Sequence, residues 1–113
     1  MVYEITIYAN ENGNEPFRDW LDGLKDVDTQ ALIFQCLQRI KLGNFGDCKT
    51  LQGGVCELRI HYGPGIRIYY GKIGNKVILL LCGGDKGSQD RDIAKAKEYL
   101  KDYQSREISH GKK

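Results

Sequence analysis

Glu57, Arg59 and His61 occupy alternate positions of one strand-like run, and Arg67 and Tyr69 alternate positions of the next. Successive side chains of a strand point to opposite faces, so the odd-numbered residues of each run share a face. The even-numbered residues Leu58, Ile60, Tyr62, Ile66, Ile68 and Tyr70 are apolar or aromatic and share the other. In a hairpin, facing residues must sum to an even number for like faces to coincide. The loop Gly63-Pro64-Gly65 satisfies this. It predicts Tyr62 opposite Ile66, His61 opposite Arg67 and Arg59 opposite Tyr69. A two- or four-residue loop would set polar against apolar.

Cations grouped with one imidazole suit a phosphate-rich ligand, because a guanidinium offers a planar fork to phosphate oxygens. They also suit RNA cleavage by the ribose 2′-OH, which needs charge stabilisation at phosphorus and proton transfer. Arg59, Arg67 and Lys86 supply the charge, and His61 is the natural proton carrier. Glu57 is either a base or a partner for Arg59. No Ser-His-Asp or Cys-His arrangement, phosphate-cradling glycine loop or metal-ligand spacing stands out.

A third run, residues 77–82, is apolar throughout, which predicts a central strand covered on both faces. Gly83-Gly84-Asp85-Lys86 then reads as a turn carrying Lys86 to the rim of the polar face. Upstream, residues 2–8 alternate and form a strand. Asn14 is the expected cap of a helix starting near Glu15 and Pro16, with Phe17, Trp20, Leu21 and Leu24 on its buried stripe. Asp26 or Asp28 caps a second helix that buries Ala31, Leu32, Phe34, Cys36, Leu37 and Ile40 and stops at Gly43. Residues 43–54 read as loop. A last helix, capped by Asp85 or Ser88, has Ile93, Ala96, Leu100 and Tyr103 as its apolar positions. Residues 104–113 read as a polar, mobile tail. The expected order is β-α-α-β-β-β-α, an α+β domain with its helices on one side of a small, antiparallel-rich sheet.

A chain of 113 residues fits one domain, here residues 1–103. The net charge of only +2 means that any nucleic-acid footprint must come from local placement. No stretch approaches a membrane span, and the amino terminus does not read as a signal peptide. Four cysteines without a Cys-x-x-Cys pair read as reduced thiols of a cytoplasmic protein.

Five segments carry a resemblance: Phe17-Arg18-Asp19-Trp20-Leu21, Leu42-Gly43-Asn44-Phe45-Gly46-Asp47, Gly54-Val55-Cys56-Glu57-Leu58-Arg59-Ile60, Gly65-Ile66-Arg67-Ile68-Tyr69-Tyr70, and Leu79-Leu80-Leu81-Cys82-Gly83-Gly84-Asp85-Lys86-Gly87-Ser88-Gln89. Asp92-Ile93-Ala94-Lys95-Ala96 fits as well, and the match runs from about residue 3 to 103. The chain resembles the RelE/ParE toxin superfamily, within it the HigB-like branch of addiction-module killer proteins. The resemblance implies a RelE-like α+β toxin of a type II toxin–antitoxin pair, cytoplasmic and without cofactor. It implies a metal-independent endoribonuclease acting on mRNA at the ribosome. It also implies a helix-turn-helix antitoxin partner, through which the pair would reach operator DNA. ParE-like relatives instead inhibit DNA gyrase, and a non-toxic co-repressor is a third alternative.

By position, Arg67 matches the family's phosphate-contacting arginine, Arg59 a catalytic basic residue, and Lys86 the basic residue after the last strand. With His61 these form the expected catalytic set. Glu57, Tyr69, Gln89 and Arg91 form the expected substrate-binding set, with no metal ligand. Two features depart from the family pattern: Tyr99 falls too late to match an RNA-contacting tyrosine, and Glu57 and His61 stand where relatives favour lysine. Which group moves protons is therefore open.

Overall fold

A computed structural model describes residues 2–111. The chain forms β1 (Glu4–Ile7), α1 (Pro16–Asp22), α2 (Val27–Lys41), β2 (Cys48–Thr50), β3 (Val55–Ile60), β4 (Ile66–Ile73), β5 (Val77–Asp85), a 3-10 turn (Lys86–Ser88) and α3 (Gln89–Gly111). This is an α+β fold around one mixed sheet in the order β1-β5-β4-β3-β2. β1 runs parallel to β5, and the other pairs are antiparallel. Among the described residues no helix is long and apolar enough to cross a membrane.

The expected order lacks β2, which falls inside the segment read as loop. Cys48, Lys49 and Thr50 pair with Leu58, Glu57 and Cys56. β5 is an interior strand between β1 and β4, as its apolar run required.

The helices do not lie on one side. α1 and α2 pack Phe17, Leu21, Ile33, Leu37 and Ile40 against the even-numbered face of β3 and β4. α3 packs Ala96 and Leu100 on the opposite face, over Val55, Tyr69, Leu79 and Leu81. The odd-numbered face is therefore half covered, not an open polar surface.

Several local expectations change with it. Glu15, not Asn14, is the N-cap of α1, with Pro16 at the first helical position. Asp26 caps α2, accepting from the Asp28 N–H. The buried stripe of α2 is Thr29, Ile33, Leu37 and Ile40, and Phe34 is 54% exposed. Gly83 and Gly84 belong to β5 and do not form a turn. α3 continues through residues 104–111, so the segment read as a tail is helical there. Arg106 holds that end down, donating to the Ala9 carbonyl and to Asp102, which also accepts from the Tyr8 hydroxyl. Residues 112 and 113 lie outside the described residues.

The hairpin keeps its predicted faces but not its predicted register. Ile60 pairs with Ile66, Arg59 with Arg67 and Glu57 with Tyr69. The loop is residues 61–65, with Gly63 and Gly65 both at positive φ (57° and 83°). A slip of two residues preserves parity, so the apolar set stays in the core while every polar partner changes. His61 consequently leaves the ladder.

Candidate functional site

The polar positions gather where the end of β3, the start of β4 and the end of β5 meet the first turn of α3. Arg59 and Arg67 face each other across the ladder, beside the facing pair Glu57 and Tyr69. α3 has closed over the inner two, so Glu57 and Tyr69 are fully buried.

The Glu57 carboxylate is engaged at both oxygens. Oε1 accepts from Arg59 Nε at 3.0 Å, and Oε2 accepts from Gln89 Nε2 at 2.8 Å. Burial alone would raise its pKa, but the bonds from Gln89 and Arg59 outweigh that and hold it below the ordinary carboxylate value. The Tyr69 hydroxyl lies near this carboxylate but makes no hydrogen bond. Burial first, and then the Glu57 charge, push the phenol far above its usual pKa.

Arg67 is only 8% exposed, and its Nε has no hydrogen-bond partner. No carboxylate within ion-pairing distance of it appears among the described residues. Its guanidinium points toward the hairpin. A Cβ placed on Gly65 would lie 3.6 Å from Arg67 Nη1 and 3.6 Å from Lys86 Cβ. Arg67 and the exposed Lys86 thus border one gap. Lys86 is fixed by the 3-10 turn, which Asp85 caps by accepting from the N–H groups of Gly87 and Ser88 at 2.8 and 3.1 Å. A groove of about 300 Å³ lies along Lys86, Gln89 and Arg91.

Of the eight expected site residues, this arrangement brings together Arg59, Arg67, Lys86, Glu57, Tyr69, Gln89 and Arg91. His61 stands apart: it is exposed and pairs with Asp47 at 2.6 Å. The two border a cleft of about 350 Å³ that Arg59 and Ile60 of β3 also line, with Leu32 and Arg39 on its α2 side. Glu57 and Tyr69 are too deeply buried to meet a large ligand. Two contributors lie outside the expected site residues: Ser88, expected only as a helix cap, and Asp92. Asp92 is buried, accepts from the Ser88 hydroxyl, and lies against Gly84. Their spacing of one helical turn, and a glycine inside a strand as a mark of close approach, were the available signals.

What the arrangement offers chemically is an anion site. It has one guanidinium without a counterion among the described residues, a second whose Nη groups are left over from its ion pair, and an ammonium at the rim. Such groups act most strongly where water is excluded.

The Glu57 pKa gives a testable pH dependence. A carboxyl depressed in the folded state contributes stability that is full above its unfolded pKa, about 4.3. That contribution is lost as pH falls through the lower folded value, because the unfolded chain binds the extra proton in that window. Asp102, held low first by its bond from Tyr8 and then by Arg106, adds to the same acid limb. Glu57→Gln is expected to flatten the limb without removing it, read by urea unfolding at successive pH values.

No protein-family model matches the chain. A protein of Haemophilus influenzae (strain ATCC 51907 / DSM 11121 / KW20 / Rd), described as "Uncharacterized protein", is 44% identical over 81 residues. These make up 72% of this chain and 82% of the relative.

Proposed function

The chain belongs to the same family as the Haemophilus influenzae protein, and we propose that in this chain the Arg67 site binds and cleaves RNA. The observation that carries the reading is Arg67 itself, a nearly buried guanidinium with an unpartnered Nε beside Lys86 and opposite Arg59. A folded protein gains no stability from a buried polar group left unpaired. An incoming phosphodiester meets the Nη groups of this guanidinium, and its negative charge offsets the repulsion between the facing arginines.

In the proposed reaction a ribose 2′-OH loses its proton and attacks the adjacent phosphorus. The bond to the 5′-oxygen breaks, and that oxygen takes up a proton. The products are a 2′,3′-cyclic phosphate and a 5′-hydroxyl. Arg67, Arg59 and Lys86 stabilise the charge that builds on the phosphoryl oxygens. Glu57 is not the base, because both its oxygens are already engaged. The motifs of the RelE/ParE resemblance support the wider reading: a RelE-like toxin that cuts mRNA on the ribosome in the cytoplasm and is neutralised by a helix-turn-helix antitoxin.

The test is induction of this chain without its antitoxin, beside Arg67→Met, with mRNA 5′ ends mapped. In-frame cuts within translated messages, absent in the variant, are the expected result. Growth arrest with intact messages would overturn the nuclease reading in favour of a gyrase-directed inhibitor. Unimpaired growth would point to a co-repressor.

A further inference from the structure

We propose that Glu57 and Gln89 are positioning residues that hold Arg59 for the phosphate, and that neither touches RNA. The inference rests on the nuclease reading and assigns a part to two residues that sequence placed among the substrate contacts. Glu57 is fully buried, and its two oxygens reach in different directions, one to Arg59 Nε on its own strand and one to Gln89 Nε2 at the start of α3. No lone pair is presented to solvent for a ligand to use.

The consequence for Arg59 is orientation. Its side chain is 31% exposed, so without an anchor it would be free to swing into solvent. It would also be driven outward by Arg67, since like charges directly opposite on neighbouring strands repel. Engaging Nε alone pins the guanidinium and leaves both Nη groups for an incoming phosphate. Gln89 completes the device by fixing the carboxylate. Gln89 is the first residue of α3 and directly follows the turn that carries Lys86. One buried carboxylate therefore sets Arg59 relative to Lys86, two cations from distant parts of the chain. A guanidinium misplaced by an ångström is expected to cost about a hundredfold in rate.

The experiment uses full-length protein with Glu57→Gln and, separately, Gln89→Ala. Two readouts are followed: single-turnover cleavage of mRNA held on programmed ribosomes, and hydrogen exchange of the Arg59 Nε–H by NMR of the free protein. Expected for Glu57→Gln are a fall in the cleavage rate of about a hundredfold, a KM for RNA within about threefold of wild type, and loss of Arg59 Nε–H protection. Gln89→Ala is expected to shift the rate and the protection in the same direction by less, and it carries the test if Glu57→Gln fails to fold. A raised KM at unchanged rate overturns the proposal, because it would make Glu57 an RNA contact. Unchanged Nε–H protection overturns it as well, whatever the rate. If wild type cuts no RNA, the nuclease reading falls, and the Nε–H signal still decides whether Glu57 holds Arg59.

Discussion

Arg67→Met is expected to slow cleavage severely while leaving the domain at least as stable as wild type. The two effects have one cause. Arg67 is nearly buried, has an unpartnered Nε, and faces Arg59 directly across the ladder. An unsatisfied buried polar group costs about 1–3 kcal/mol, and a flexible thioether of similar length fills the same space without that penalty. Urea unfolding followed by Trp20 fluorescence should show a gain of about 1 kcal/mol or no change. Losing a principal donor to the developing charge should lower the cleavage rate by about 10²–10³-fold.

Arg59→Met is the control that gives the prediction its edge. Arg59 is the sole ion-pair partner of the fully buried Glu57 among the described residues. Removing it strands a carboxylate in the interior, a change that costs about 3–5 kcal/mol in fully buried pairs and somewhat less here because Arg59 keeps contact with water. Two arginines opposite one another should thus have opposite effects on stability and the same effect on cleavage. If Arg67→Met destabilises as much as Arg59→Met, Arg67 has a partner in the folded protein and the anion site loses its foundation.

This contrast could not be read from the sequence. Alternation assigned Arg59, Arg67, Glu57 and Tyr69 to the right face, because parity survives a two-residue slip. Register did not survive, because Gly63 and Gly65 both adopt positive φ and lengthen the loop to residues 61–65. The slip exchanged His61 for Arg59 opposite Arg67 and sent the imidazole to Asp47. The covering of the polar face was legible in part. The apolar run at 77–82 demanded cover on both sides, and the last helix was the remaining element able to supply it. Its packing over Val55 and Tyr69 is what converts Glu57 from a surface acid into an internal anchor. The pairing of Glu57 with Gln89 spans 32 residues, a distance at which no local pattern operates.

The glycine pair at the end of β5 yields the second large effect. Adjacent glycines suggest a turn, but here each is a strand position from which something has to be kept out. A Cβ on Gly83 would lie 2.2 Å from Trp20 Cε3 of α1. One on Gly84 would lie 1.8 Å from Asp92 Oδ2 of α3. Strand alternation turns the two toward opposite layers. The register shift of β5 against Tyr69 and Tyr70 of β4 is what aligns Gly83 with Ile68 on the apolar face and Gly84 with Arg67 on the polar one.

Gly83→Ala and Gly84→Ala are each expected to destabilise the domain by about 3 kcal/mol, the upper range for overpacking, because neither neighbour has an easy retreat. The Trp20 ring is wedged between Phe17 and the sheet, and Asp92 is tied to Ser88. Adding Trp20→Leu to Gly83→Ala should recover part of the loss, with a coupling of about 1–2 kcal/mol in a double-mutant cycle. Simple additivity would mean that the indole does not limit the strand. The two alanines should also differ in function. Gly84 is the ladder partner of Arg67, and displacing Asp92 disturbs the turn that bears Lys86, so Gly84→Ala should lose cleavage even after correction for the folded fraction. Gly83→Ala lies on the far face and should lose only what unfolding takes. Equal corrected losses would mean that the strand end, and not the α3 face, controls the site.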